Sequence, residues 1–499
     1  KTPLNLKVAA KRAGDRINLP SVTLVLDNAK LTGSASVSTK EGAPMEAALD
    51  TGLVTLASLK GVLPPVQKAL TKKGTKVDGT FRLQATAKAA GEKQALHAQL
   101  DLSQVDVAMD AVTAKGGGTI FVDVAPSAAS TTAAMQANLT GLAVTAKDEK
   151  KKTLVAKVAG FPLSLDVRVV QTGGNANVEK AELALGKTLI QARGSAQGLD
   201  QPAPTLDVKV EQLDIAFDDI RALAPAADVL PTGGHLKARI TAAGNPQKME
   251  TLSIKVEDLN LLAAKNIVTG RAQVDNLADA SFDVNLTRVD LNFDELRRLT
   301  KNDSIPKGGL LKAKVTAKGK VSQLSTLDVA VEDLDTTVYS SRVNGHVRFK
   351  DVDRPRFDIK LHGDRLAVSD ILKQLPQGKE EPKPKKADEK PENPHGLPAE
   401  TRKLIHKMTG TVDLHVDRVT YEKHTFDDVT ALIKVASGDI TFEKLQLTTY
   451  GGRVVGDGTT LDTDEEYLRS VLKLNAKNVD LGQVLDNNTS KKDAVDGRV

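Results

Sequence analysis

The sequence predicts a mainly β protein: an elongated repeat array of antiparallel strands that forms a curved groove, in units of about 75 residues with short helices. Three observations predict this fold. A glycine-centred motif recurs at Gly118, Gly194, Gly270 and Gly345, at intervals of 76, 76 and 75 residues. Apolar and polar residues alternate along most segments, and a short helical pattern recurs at the same interval. A fixed period indicates stacked copies of one supersecondary unit, whose function usually lies along a surface.

The strands are predicted from strict alternation. Phe282, Val284 and Leu286 point to one face of a strand, and the polar residues between them point to the other. Alternation does not show what covers the apolar face, so its residues line either an ordinary core or an open groove. The residues assigned to this lining are Leu206, Val208, Val210, Phe282, Val284, Leu286, Phe357, Ile359, Leu361, Leu472 and Leu474.

Turns and glycines divide each unit. Residues 231–235 and 306–310 are matching turns with a Gly-Gly pair, and each opens a unit. A glycine in mid-strand is typical of a bulge or a tight bend, and a bend at the same place in every unit would curve the sheet into a trough. At the usual spacing of strands and turns we expect roughly five or six strands in each unit.

The short helices are predicted from a segment that recurs 76 residues apart, at 213–223 and 289–299. Asp218, Asp294 and Ser369 precede its apolar positions and are expected to be helix N-caps, because their side chains can accept backbone N–H groups. The alternative is a capping turn over the edge of a sheet.

Composition divides the chain into three segments. Residues 1–375 are predicted to form the repetitive β-groove, and residues 401–499 continue it. Residues 376–400 are rich in Pro, Lys and Glu without an apolar period, and we expect a disordered insert. Residues 494–499 resemble the opening of a unit at 76–81, so we expect a chain truncated within a repeat, as a fragment of a longer protein.

Composition and motifs favour a protein that is not an enzyme. The 69 Lys and Arg are interspersed with 64 Asp and Glu, so no nucleic-acid partner is expected. Cysteine is absent, and the eight histidines form no zinc-binding spacing such as His-Glu-x-x-His. Asp462, Asp464 and Glu466 have a calcium-like rhythm but lack the EF-hand glycine, which favours a solvated turn. We therefore expect no catalytic residue, no metal site and no cofactor.

The C-terminal part of the chain resembles the AsmA family. The resembling features are the turn Tyr450-Gly451-Gly452, the strand around Gly456, and the segment that begins at Val479. The wider repeat is similar in style to the AsmA, TamB and YhdP superfamily of bacterial bridge-like lipid transfer proteins. This resemblance implies a taco-like β-groove in the periplasm of a Gram-negative bacterium, anchored to the inner membrane by a segment absent from this chain, with no catalytic residues.

Together, the apolar stripes and the resemblance lead us to expect a lipid conduit. Its groove would shield phospholipid acyl chains and support transport between the inner and outer membranes, with components of both membranes as partners at the groove ends. Two alternatives stay open. One is a closed, dry β-solenoid with a structural or adhesive role; the other is a scaffold that assists outer-membrane protein assembly through an exposed strand edge.

Overall fold

The computed structural model describes residues 4–26, 29–40, 43–57, 76–90, 93–109, 111–148, 152–224, 227, 229–374, 399–463 and 469–488. Strands dominate these residues and the helices are short, which confirms the predicted mainly β fold. Within the same residues, every helix is too short or too polar to cross a bilayer. The chain divides into two compact units, residues 1–259 and 260–499.

The first unit is an open antiparallel sheet. Its strands are β1 (Leu4–Ala13), β2 (Arg16–Leu26), β3 (Ala29–Ser38), β4 (Met45–Asp50), β5 (Val54–Thr55), β6 (Lys76–Ala90), β7 (Lys93–Met109), β8 (Val112–Pro126), β9 (Thr131–Asn138), β10 (Leu142–Lys147), β11 (Thr153–Lys157), β12 (Leu163–Thr172), β13 (Asn175–Leu185), β14 (Thr188–Gln197), β15 (Thr205–Ala216) and β16 (His235–Gly244). β17 (Ser253–Ala263) contains the boundary between the units.

Hydrogen-bonded neighbours in the first unit follow the order β1-β2-β3-β4-β6-β7-β8-β9-β12-β13-β14-β15-β16. The sheet forks at β8, because the first half of this strand pairs with β10, which in turn pairs with β11. Among the described residues β1 pairs with β2 alone, so β1 is the edge strand of the described part of this sheet.

The second unit contains β18 (Asn266–Asp275), β19 (Ser281–Asn292), β20 (Leu310–Lys320), β21 (Gln323–Val338), β22 (Ser341–Lys350), β23 (Arg356–Ala367), β24 (Thr409–Tyr421), β25 (His424–Ala436), β26 (Asp439–Thr449), β27 (Gly452–Gly456), β28 (Thr459–Asp462), β29 (Arg469–Val471) and β30 (Leu474–Lys477). Strands β18 to β26 pair in chain order, and the sheet forks at β26, towards β27 and β30 on one side and β28 and β29 on the other.

One of the described strand pairs, β23 and β24, is parallel, which departs from the antiparallel expectation. A hairpin cannot join parallel strands, since the chain must first return to the end where the earlier strand began. Residues 368–408 make this return, and the expected insert lies within them. Residues 375–398 lie outside the described residues, as do residues 494–499, and the last two positions of the expected insert open a helix.

The helices are α1 (Phe217–Leu223), α2 (Phe293–Thr300), α3 (Val368–Gln374), α4 (Ala399–Lys407) and α5 (Leu481–Asn488). The first three follow β15, β19 and β23, so a helix recurs every fourth strand. The repeat glycines Gly194, Gly270 and Gly345 likewise lie four strands apart, in β14, β18 and β22. The expectation of five or six strands in each unit is wrong, because the strands are longer than assumed; β21, for example, has 16 residues.

The expected helices are present, but their caps differ. The N-cap of α1 is Ala216, which makes no side-chain cap, and the N-cap of α2 is Asn292, whose side chain accepts from the Glu295 amide at 3.0 Å. Asp218 and Asp294 lie two positions after these N-caps, still in the first turn. Their carboxylates accept from the amides of Gly233 (3.1 Å) and Gly308 (2.8 Å), in the Gly-Gly turns that open the following strands. Ser369 accepts from the Glu422 amide at 2.6 Å in the same way. These residues tie each helix to a neighbouring turn instead of capping it.

Bulges recur at the repeat period. The register shifts between Val210 and Leu213 in β15, and between Leu286 and Val289 in β19, 76 residues further on. An inserted residue bends its strand and increases the local twist. A bulge therefore recurs at a fixed place in the repeat, and it lies in the strand that follows each repeat glycine rather than at the glycine itself.

The repeat glycine of β22 is required by close approach of the backbone. Gly345 has φ of +145°, and a Cβ at this position would overlap the carbonyl oxygen of Lys360 in β23. Only glycine combines this conformation with this contact at no steric cost.

Candidate functional site

The face that carries the expected lining residues is apolar from strand to strand. In the first unit, register partners on thirteen strands form one row that contains only apolar residues and a glycine. At about 4.8 Å between strands, this row is on the order of 58 Å long. The first-unit row consists of Val8, Val22, Gly33, Leu49, Ala85, Ala98, Val122, Met135, Val167, Ala181, Ala192, Val210 and Ile240.

The second unit has an equivalent row across eight strands, on the order of 34 Å long. The second-unit row consists of Leu286, Val315, Val331, Val347, Ile359, Val412, Ile433 and Phe442. A parallel row lies two residues away along each strand and includes Val284, Ala317, Val329, Phe349 and Phe357.

The bulges keep these rows on one face. Leu286 and Val289 are three residues apart, so simple alternation would place them on opposite faces. Their partners Val315 and Ala313 are only two residues apart in β20, and the bulge in β19 absorbs the difference. All five apolar-face residues of β19 from Phe282 to Leu291 therefore share one surface, about 30 Å wide along the strand.

The opposite face of each sheet is charged. Cross-strand ion pairs join Lys180 to Asp166 at 2.9 Å in the first unit and Arg348 to Glu332 at 2.9 Å in the second. The pKa of Asp50 in β4 is held well below its usual range, first by its hydrogen bond from the Arg82 guanidinium. The charged side chains of this face pair with one another across strands and remain in water. An apolar ligand would therefore bind to the other face.

The apolar face has no second layer among the described residues. The extensive contacts of each strand are with its neighbours in the sheet, and the other elements that contact strands are short helices and turns. Within the described part of the chain, thirteen apolar residues are buried, whereas twenty-six large apolar residues are exposed. A dry core under a second sheet would bury most of these side chains, so the geometry favours an open apolar surface over that alternative.

The structure brings most of the expected lining residues onto this face. Leu206, Val208 and Val210 lie side by side in β15, and Val208 is 39% exposed. Their partners in β16 are Gly244, Ala242 and Ile240.

The same arrangement recurs in the second unit. Phe282, Val284 and Leu286 lie together in β19, and Phe357, Ile359 and Leu361 lie together in β23. Leu474 faces Gly456 across β27 and β30.

Leu472 departs from the expected alternation. It lies in the link between β29 and β30, outside any strand, and is 63% exposed. The chain changes partner strand here, because β29 pairs with β28 and β30 pairs with β27, so the apparent strand 472–476 is interrupted.

Sequence reasoning missed most of the first-unit row. Four of its residues are alanines (Ala85, Ala98, Ala181 and Ala192), which contribute little contrast to an alternation pattern. Their positions in the sequence could have identified them. Each alanine is flanked by polar residues and lies two positions from a larger apolar residue on the same face of the strand, as Ala85 does from Leu83.

One cation lies on the apolar side of the first sheet. Lys157 of β11 pairs with Val144, and its ammonium group donates to the carbonyl oxygens of Thr140 (3.1 Å) and Leu142 (2.6 Å). Burial lowers the pKa of this amine, since desolvation disfavours the charged form. Because the side chain is only 4% exposed, it closes the end of the β10–β11 hairpin and is not presented to a ligand.

A group of histidine and aspartate side chains lies on the charged face of β23 and β24. His362, Asp364 and Asp417 each offer a ligand atom, and these atoms lie within 4.8 Å of one another. The rings of His362 and His415 stack with centroids 5.0 Å apart. The sequence predicted no metal site, because no histidines have a metal-binding spacing along the chain. The arrangement of His362 and His415 is not visible there, since they are 53 positions apart.

The model of the AsmA family matches residues 82–499, which is 418 of the 499 residues. No curated protein and no solved structure matches the chain significantly.

Proposed function

The chain belongs to the AsmA family, and on that premise we propose that it is a lipid conduit whose apolar face shields phospholipid acyl chains in transit between the inner and outer membranes. The observation that carries the proposal is the pair of uninterrupted apolar rows on faces that no second layer covers in the part of the chain that the structure describes. Family membership supports the envelope of a bacterium as the setting.

The chemistry of the rows suits hydrocarbon. Acyl chains require removal from water and no directional hydrogen bonds, and the rows offer aliphatic side chains without a recurrent polar group. The apolar face of β19 is about 30 Å wide, and half the hydrocarbon thickness of a bilayer is about 15 Å. Burying half the surface of a tail of about fifteen methylenes is worth on the order of 6 kcal/mol.

The same uniformity would permit movement. Neighbouring positions along a row present the same kind of surface, so a tail that shifts by one strand exchanges one set of aliphatic contacts for another. Head groups would remain in water at the open side. No step needs a reacting side chain, and we propose that the protein is not an enzyme.

Location and partners follow from this role. We propose that the protein works in the periplasm of a Gram-negative bacterium, linked to the inner membrane by a segment outside this chain. Lipid would enter from inner-membrane components and leave to outer-membrane components at the ends of the conduit.

A second candidate function rests on β1, the edge strand of the described part of the first sheet. The strand pairs with β2 alone among the described residues, and Leu6 (58% exposed) and Val8 (50% exposed) flank its unpaired backbone. An extended segment of another protein can add to such an edge by β-augmentation. A scaffold for outer-membrane protein assembly would use this edge, and lipid would then not co-purify with the chain.

The test is mass spectrometry of lipid extracted from the purified chain. We expect several phospholipids per chain, fewer in Val284→Asp, and an unchanged number in Asn285→Asp. Val284 lies on the apolar face, and Asn285 lies beside it on the charged face between Arg271 and Thr316. Lipid no more abundant than in an unrelated soluble protein purified in parallel would refute the conduit and leave the scaffold.

A further inference from the structure

The parallel pair β23–β24 duplicates a short motif side by side. His362-Gly363-Asp364 lies in β23, and His415-Val416-Asp417 lies in β24. In the parallel register His362 is the partner of His415 and Gly363 is the partner of Val416. Both strands therefore direct a His-x-Asp pair to the same patch of the charged face.

The side chains of this patch converge. One ligand atom from each of His362, Asp364 and Asp417 lies within 4.8 Å of the other two. His415 lies beside this group of three and contacts one of its members, since His415 Nε2 is 3.5 Å from Asp417 Oδ1. The two imidazole rings are nearly parallel, at 10°.

A neighbouring strand orients one of the histidines. His415 Nδ1 lies 3.0 Å from the hydroxyl of Thr430 in β25, so this nitrogen already has a hydrogen-bond partner. The half-buried ring then presents Nε2 to the patch. Metal-binding histidines are commonly held in this way, with one nitrogen bound to a neighbour and the other free for the ion.

From this convergence we propose that His362, Asp364, His415 and Asp417 form a Zn²⁺ site that joins β23 to β24. Two imidazoles and two carboxylates match the ligands of zinc, whereas calcium and magnesium prefer oxygen alone. Zinc bonds of about 2.0–2.2 Å require ligand atoms somewhat closer than 4.8 Å. Rotation of side chains that are exposed, as three of these are, supplies that approach.

Nearby cations set the limit on affinity. The Arg342 guanidinium lies 3.6 Å from Asp364 and also 3.4 Å from Asp335, so it retains a carboxylate partner when Asp364 turns to the ion. Arg418, beside Asp417 in the chain, is paired with Asp427 at 2.6 Å. Zinc therefore competes with one ion pair, and the site is expected to bind more weakly than a closed structural zinc site.

The site lies on the opposite face from the proposed lipid surface. Gly363 and Val416, between the ligands of each strand, belong to the apolar face, and Val416 is fully buried. The inference consequently does not depend on lipid binding. Zinc would fasten the parallel pair, whose two strands are joined through the long return of residues 368–408.

The experiment is a zinc titration of the full chain, purified without a histidine tag and dialysed against a chelator, in competition with a chromophoric zinc indicator. We expect one zinc per chain, with affinity at least tenfold lower in His415→Ala and in Asp364→Asn. The matched control is His346→Ala, which removes a histidine of the same sheet whose carboxylate neighbour is Asp358, at 3.8 Å, and should leave the affinity unchanged.

A second measurement separates binding from folding. Zinc should raise the melting temperature of the wild type and of His346→Ala but not that of His415→Ala, and calcium at the same concentration should raise none of them. The proposal is overturned if the double variant His362→Ala/His415→Ala binds zinc as well as the wild type, or if His346→Ala loses zinc to the same extent as His415→Ala.

Discussion

An aspartate at position 331 tests the proposed acyl-chain surface most directly. Val331 lies in the second-unit row between Val315 and Val347, on an apolar face with no covering layer among the described residues. Ala330, the next residue, points to the charged face between Thr316 and Arg348. Val331→Asp and Ala330→Asp therefore place the same carboxylate in the same strand on opposite faces.

The size of the effect follows from protonation. A tail lying over position 331 would remove the carboxylate from water, and the less costly response is to bind a proton. With an ordinary aspartate pKa of about 3.9, protonation at pH 7 costs about 4 kcal/mol, and at pH 5 about 1.5 kcal/mol. Occupancy by a tail at this position should fall roughly 10²- to 10³-fold at pH 7 and only about tenfold at pH 5.

The assay is equilibrium binding of a phospholipid with a fluorescent tail, at pH 7 and pH 5. We expect Val331→Asp to bind more weakly at pH 7 and to recover at pH 5, and Ala330→Asp to bind as the wild type does at both. Val331→Asn, which cannot ionise, should show a smaller loss that is the same at both pH values. Equal binding by the two aspartate variants would refute the assignment of the apolar face as the lipid surface, and a loss without recovery at pH 5 would refute the electrostatic explanation.

Three further predictions concern stability. Gly345→Ala should lower the free energy of unfolding by roughly 1–3 kcal/mol in urea titrations, because the added Cβ meets the backbone of β23. The control is Gly308→Ala, which also has a positive φ (+70°) but no atom within 4 Å of the added Cβ, and it should lower the free energy of unfolding less. Equal losses would contradict the close-approach argument. Asp219→Ala should cost about 1–3 kcal/mol in the same assay, because the buried carboxylate accepts from two amides and a hydroxyl at 2.6–3.1 Å, and a neutral result would show that water replaces it. The pKa of Asp50 is lowered in the folded chain, so its pairing with Arg82 stabilises the fold above pH 4 or so and the contribution is lost as the pH falls through the folded pKa. The melting temperature of Arg82→Ala should therefore fall less on acidification than that of the wild type. The same fall in both proteins would count against this pairing.

The face of a strand was predictable from sequence, but its continuation past a bulge was not. Phe282, Val284 and Leu286 alternate with polar residues, and the pleat places them together without further information. Val289 shares that face only because two residues of β19 lie opposite one residue of β20. A bulge has no reliable residue signature apart from an occasional glycine, so the phase of the pattern beyond it depends on the partner strand.

Pairing between distant segments was also beyond the sequence. The turn and helix patterns predicted a repeating unit, yet the parallel alignment of β23 with β24 depends on how residues 368–408 return across the unit. That alignment places His362 beside His415. Searches for metal-binding motifs examine residues near one another in the chain, and they overlook ligands contributed by two strands 53 positions apart.

The four-strand repeat has a consequence for how proteins of this architecture change in evolution. Each strand makes its extensive contacts with its immediate neighbours, so stability is approximately a sum of local terms and the fold does not depend on a fixed number of copies. Duplication of one unit of about 76 residues adds four strands, and hence about 19 Å of sheet, without rearranging those already present. Gain or loss of whole units would therefore change the length of the apolar surface in steps of about 19 Å and leave the local structure of the remaining units unchanged.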